Sequence, residues 1–143
     1  MFGIIMSIVA GAAMSVQGVF NTRLSDKIGT YEANAVVQGI AFVSGLIIAL
    51  IFRNGNIKEI SNVNKLYLSG GILGIVITIT VMLAIKNLNP TYAISIILIA
   101  QLLVAAIIDA FGLFESEKLV FGWQKYIGLA LMISGVILFY VNR

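Results

Sequence analysis

Apolar residues along the chain gather into five long runs, at about 2–22, 33–52, 66–85, 91–114 and 126–142. Each run is close to the ~20 residues that a helix rising ~1.5 Å per residue needs to cross a ~30 Å hydrocarbon core. The polar and charged residues lie between the runs, and the connections are short. The longest, 53–65, carries Lys58, Glu59 and several asparagines and reads as a solvated loop. The tightest is Lys86-Asn87-Leu88-Asn89-Pro90, where asparagine and the sole proline end one helix and start the next. The pattern predicts an all-α integral membrane protein of five transmembrane helices, with residues 1–143 forming a single transmembrane domain. The first run lacks a basic leader and is too long for the apolar part of a signal peptide, so it reads as a retained helix.

Composition agrees with the pattern: 60% of the residues are hydrophobic and 10% are charged, against roughly a quarter charged in soluble domains. There is no cysteine and no histidine, which removes the usual nucleophile, disulfide and transition-metal ligands. Enzymatic function and a cofactor are not expected. The net charge of +3 is spread along the chain and forms no stripe that would bind nucleic acid.

An odd number of crossings puts the termini on opposite sides. Taking the Met1 side as side A, the connections give it Arg53, Lys58, Lys65, Lys118 and Lys125, and give side B Arg23, Lys27, Lys86 and Arg143. Lys and Arg normally favour the cytoplasmic side, and here they are almost evenly divided. The balance predicts insertion in both orientations, with a partner that is an inverted copy of the chain or a separate inverted relative. Many transporters are built from two inverted repeats with the substrate site near the midplane between them. One chain here corresponds to one repeat.

Polar side chains inside the runs mark the candidate site, because each is costly in hydrocarbon unless it meets a cavity or a partner. They are Gln17 and Asn21 in the first run, Gln38 in the second, and Gln101 and Asp109 in the fourth. Gln17 and Asn21 are four apart and share a helix face. An aspartate at a helix centre costs ~3 kcal/mol, and each Leu, Ile, Val or Phe returns about 0.3–0.6. The fourth run holds more than ten of those, so it still inserts. Counted from the run centres, Gln17 and Gln38 lie roughly 7 Å toward side B, Asp109 roughly 10 Å toward side A, and Gln101 near the middle. In an inverted dimer the partner's Asp109 would come to the depth of the two glutamines, and the two Gln101 residues would meet near the two-fold axis. A membrane carboxylate suits proton exchange or holding a cationic group. An early cap at Gly112 would instead let Asp109 reach interfacial water or Lys125. Gly70 and Gly74, with Gly128 and Gly135, supply small surfaces for helix packing or dimerisation. Tyr67, Trp123 and Tyr126 read as interfacial anchors.

Several of these elements occur together in a known family. The run Gly11 to Asn21, the Gly70-Gly71-x-x-Gly74 opening, Ala100-Gln101-Leu102-Leu103, Asp109-Ala-Phe-Gly112 and Gly128-Leu-Ala-Leu-Met-Ile-Ser-Gly135 resemble the YdcZ-like family of the drug/metabolite transporter (DMT) superfamily. The resemblance spans essentially the whole chain. It implies a bacterial inner-membrane exporter of unassigned substrate, one half of an inverted-repeat DMT-type transporter that dimerises. Pro90-Thr-Tyr-Ala-Ile also resembles the small multidrug exporters of the superfamily, which carry a glutamate midway along helix one. Here that stretch reads Gly11-Ala-Ala-Met-Ser15, which leaves Gln17 and Asp109 nearest to that role. The reading is a secondary transporter subunit moving a small polar or amphipathic metabolite by alternating access. A dual-topology ion channel and a non-transporting subunit that stabilises a partner protein are the alternatives.

Overall fold

The computed structural model describes residues 1–120 and 122–141. Its helices are α1 (Phe2–Ile28), α2 (Thr30–Phe52), α3 (Gly70–Leu88), α4 (Pro90–Phe111) and α5 (Trp123–Val141). Short 3-10 turns at Ile57–Ser61 and Lys65–Ser69 precede α3, and another at Leu113–Glu115 follows α4. Five helical segments are long and apolar enough to cross a membrane, with the third running through its 3-10 turn as Lys65–Leu88. All five expected crossings are therefore present. Asn142, the last residue of the fifth run, and Arg143 lie outside the described residues.

The helix ends differ from the apolar runs for local reasons. The first helix extends to Ile28, through Arg23, Asp26 and Lys27, because charge ends a lipid-soluble stretch without breaking a helix. The fourth stops at Phe111, not 114, because Gly112 adopts the left-handed conformation (φ 63°, ψ 40°) and donates its N–H to Ile108 O. That geometry favours glycine and closes the helix. At the start of α4, Asn89 Oδ1 accepts from Tyr92 N–H at 3.2 Å, and Pro90 occupies the first turn, where no N–H is needed.

The chain forms two compact units, 1–87 and 88–143. In the first, α1 and α2 are separated by Gly29 alone. Gly29 donates its N–H to Ser25 O and accepts from Ala33 N–H, both at 3.0 Å, so one residue ends one helix and begins the next. The buried residues of this unit gather toward side B. Gly18, Asn21, Thr22 and Ser25 of α1, Ala33 and Asn34 of α2, and Met82 and Ile85 of α3 are all buried. At Gly18 the helices come close: a Cβ there would lie 3.0 Å from Ile85 Cδ1 and 3.1 Å from Val81 Cγ1. An ion pair from Lys86 to Asp26 (3.4 Å) and a long hydrogen bond from Lys86 Nζ to Thr30 Oγ1 (3.4 Å) join the ends of all three helices. Toward side A, residues 39–52 of α2 are all exposed.

In the second unit, α4 and α5 pack antiparallel, and the Tyr92 and Tyr140 rings stack at 4.7 Å with a 17° interplanar angle. The pair fixes the start of α4 against the end of α5. Such a pair contributes ~0.5–1.5 kcal/mol beyond the area it covers. We expect Tyr140→Ala to lower the detergent-solubilised melting temperature by a few degrees and Tyr140→Phe to leave it unchanged, since the ring and not the hydroxyl makes the contact. Equal loss in both variants would assign the effect to the hydroxyl.

Candidate functional site

Among the described residues, three places bring helix polar groups into partly or fully buried surroundings, two in the first unit and one in the second. Near the middle of the first unit, Gln38 Nε2 donates to Thr78 Oγ1 at 3.4 Å, and Thr78 Oγ1 donates to Gly74 O at 2.9 Å. Gly74 lies beside the amide: a Cβ there would meet Gln38 Nε2 at 3.8 Å, an ordinary contact. Counted along their helices, Gln38 and Thr78 both lie within ~5 Å of the helix midpoints. Thr78 was not among the residues marked by the sequence. A threonine that bonds its own i−4 carbonyl is unremarkable in a membrane helix, and only the facing glutamine gives it a second partner.

Deeper toward side B, Asn21, Thr22, Ser25 and Asn34 form a buried polar group. Thr22 and Ser25 return their hydroxyls to α1, donating to Gly18 O and Thr22 O, each at 2.7 Å. Asn34 is 7% exposed, and its Oδ1 is buried without a hydrogen-bond partner. Such atoms are few in native proteins. The sequence reading marked Asn21 and passed over Asn34, which sits just inside the second apolar run. Its signal was a polar side chain only five residues beyond a one-glycine turn, where α2 faces the end of α1. Gln17, by contrast, is exposed on α1, where it and Asn21 border a shallow depression beside Val16 and Phe20.

The third place is a half-open groove of about 750 Å³ between α4 and α5. Asp109, half-buried, lies on one wall, and Lys125 and Tyr126 lie on the other. Leu102, Leu103, Leu129 and Met132 line its apolar length. Gly128 also borders it, and a Cβ added at Gly128 would meet nothing within 4 Å. Because α4 ends at Phe111, Asp109 stands in the last helical turn, ~13 Å from the helix midpoint and close to the edge of a ~30 Å core. This is farther out than the run centres indicated, and it removes most of the insertion cost reckoned for a helix centre. The segment after α4 folds back onto the same turn, with Leu119 N–H donating to Asp109 O at 2.9 Å.

Gln101 does not border the groove. It is exposed on α4, ~1 Å from the helix midpoint. Gly70 and Gly135 would likewise receive a Cβ with nothing within 4 Å. The close approach inside the chain is at Gly18 instead, which lacks a second glycine four residues away. Among the described residues, no three acidic or other metal-ligating side chains group together.

Comparison with known proteins decides the family. The family model described as "Putative inner membrane exporter, YdcZ" matches residues 2–138. The chain belongs to the YdcZ family. It is therefore a multi-pass protein of the inner membrane, in a family of exporters and not of enzymes. No curated protein and no solved structure matches it. Within this YdcZ-family chain the matched region holds α1 to α4, most of α5, and Gln17, Asn21, Asn34, Gln38, Thr78, Gln101 and Asp109.

Proposed function

We propose that the chain is one half of a secondary transporter, which exports a small polar or amphipathic metabolite by alternating access as an antiparallel homodimer in the inner membrane. The observation that carries this reading is Gln101. Its amide is exposed in the apolar middle of α4, between residues 96–100 and 102–108, at the depth where hydrocarbon is driest. An amide in that position needs a hydrogen-bonding partner or a polar cavity. A two-fold axis in the membrane plane passes through that same depth, so an inverted copy presents its own Gln101 there. The near-even division of Lys and Arg between the two sides supports the same arrangement. The Gln38–Thr78 pair, also near mid-depth, is where a midplane substrate site between inverted repeats would draw its polar groups. A homologous inverted partner in place of the second copy would serve the same geometry.

The absence of native cysteine makes the arrangement testable without knowing the substrate. A disulfide needs Cα atoms within ~7 Å. We expect Gln101→Cys to give a disulfide-linked dimer when membranes are oxidised. Phe2→Cys should give none, because inverted copies hold that residue on opposite sides. Cross-linking at Phe2 and not at Gln101 would mean a parallel dimer and would remove the inverted-repeat reading. Purified protein in planar bilayers should pass no steady current, which separates a carrier from a dual-topology channel.

A further inference from the structure

Asn34 holds a polar atom that neither the packing of the helices nor the mid-depth pair uses. The residue is 7% exposed, and its Oδ1 is buried without a hydrogen-bond partner. Leaving such an acceptor unmet costs stability, so the atom calls for a donor or a positive charge. The other buried polar side chains among the described residues are Asn21, Thr22 and Ser25, all on α1. Thr22 and Ser25 lie seven and four residues before Gly29, and Asn34 lies five after it. The chain thus sets all three about 6–11 Å inside the turn, on the two helices that the turn joins.

What these side chains offer is oxygen lone pairs. Thr22 Oγ1 donates its hydrogen to Gly18 O, and Ser25 Oγ donates its own to Thr22 O, each at 2.7 Å. Both hydroxyls can therefore only accept from a newcomer, as Asn34 Oδ1 does. Neutral oxygens of this kind suit a hard cation. A water has only two hydrogens to share among three oxygens, whereas an ion serves all of them. A proton has no place here, since Asn, Ser and Thr side chains do not titrate. The nearest acid in the sequence, Asp26, is exposed and paired with Lys86 at 3.4 Å.

The surroundings also bear on size and access. A Cβ at Gly18, whose carbonyl holds the Thr22 hydroxyl, would lie 3.0 Å from Ile85 and 3.1 Å from Val81. Packing this close favours Na+ over the larger K+. Asn21 borders the shallow depression on α1 together with Gln17, which gives an ion a polar way in. Four residues farther along α2, about 6 Å, stands Gln38 with its bond to Thr78. An ion at Asn34 is therefore one helical turn from the pair at which the substrate is placed above.

We propose that Asn34 Oδ1, Thr22 Oγ1 and Ser25 Oγ bind a sodium ion whose gradient is coupled to export. The inference names the coupling ion and rests on the exporter reading for that role, though not for the binding itself.

Binding is tested on the full chain in detergent, melted in NaCl, KCl and choline chloride at equal ionic strength. Na+ is expected to raise the melting temperature saturably, by about 4 °C over choline at about ten times its dissociation constant, and K+ by much less. Asn34→Leu keeps the branching of the side chain and removes its oxygen. It should lose the Na+ response and melt no lower than the wild type in choline, because no unpaired acceptor remains. Asn34→Asp adds charge to the same oxygen and should reach the full response at roughly tenfold lower Na+. It decides the matter if Asn34→Leu does not fold. Equal melting of the wild type in the three salts, or an Na+ response retained in Asn34→Leu, overturns the inference and leaves Asn34 Oδ1 to an ordered water. Coupling is scored separately, as exchange of radioactive Na+ across vesicles that contain the protein. An Na+-specific melting shift without exchange keeps the site and counts against the exporter reading, whereas solute export indifferent to Na+, with no melting shift, does the reverse.

Discussion

Gly29→Val should abolish most of the folded protein, with a destabilisation of about 2–3 kcal/mol. Gly29 has φ 98° and ψ 155°, a region that costs a residue with a side chain ~1–3 kcal/mol. No other residue separates α1 from α2, so the turn cannot redistribute the strain over a loop. A side chain would in addition run into the Glu32 carboxylate, which lies over the turn in the first turn of α2. The two costs can be separated. Glu32→Ala combined with Gly29→Ala relieves the crowding and leaves the backbone strain, so the double variant should recover part of the melting temperature lost in Gly29→Ala. Gly112→Ala makes a useful comparison, because its φ of 63° is one that other residues reach at ~1–2 kcal/mol. The check is thermal unfolding in detergent followed by circular dichroism. A Gly29→Val protein that melts like the wild type would mean that α1 and α2 do not meet through this turn.

The second large effect belongs to Gly18. Side chains from α3 lie so near its Cα that even a methyl group would touch Ile85 and Val81. Both contacts are the ends of side chains, which can give by a few tenths of an ångström, so Gly18→Ala should lower stability only slightly. Leucine at the same position cannot be absorbed in that way. It must push α3 off α1, exposing Met82 and Ile85, which are now buried, and stretching the Lys86–Asp26 contact of 3.4 Å. Overpacking of this kind costs typically ~1–3 kcal/mol. Cysteines introduced at Ser25 and Ile85 would follow the separation through their accessibility to thiol reagents, which should rise in Gly18→Leu and not in Gly18→Ala. Equal accessibility in the two variants would show that α1 and α3 do not rely on this contact.

These two glycines also show where a hydropathy reading stops. The five crossings were legible because lipid demands long uncharged runs, and a run is a property of one segment at a time. The ends of α1 and α4 were less legible: Arg23 and Lys27 leave the hydrocarbon without leaving the helix, and Gly112 stops a helix inside an apolar run. The sequence raised an early cap at Gly112 only as one possible fate of Asp109. Packing was harder still. Spacing singled out Gly70, Gly74, Gly128 and Gly135, yet only Gly74 has a neighbour near its missing side chain, and Gly18 makes the tight approach. A glycine's role depends on which neighbour it faces, and periodicity along one helix does not contain that. The same holds for Thr78 and Asn34, whose meaning comes from Gln38 and from a buried oxygen with no donor. By contrast Gln17, Asn21, Gln38, Gln101 and Asp109 were legible as singular polar residues in apolar surroundings; the structure leaves Gln17 and Gln101 exposed and the other three buried or half-buried.

Two opposed orientations in one membrane, as proposed above, can be observed without knowing the substrate. Ser61 is exposed in the connection between α2 and α3, and no native cysteine competes with one placed there. Intact cells carrying Ser61→Cys should react with a membrane-impermeant maleimide at about half of the protein molecules, the other half becoming reactive only after lysis, as expected for a chain without a marked Lys and Arg bias. Labelling of all molecules, or of none, in intact cells would mean a chain of fixed orientation and remove the inverted homodimer.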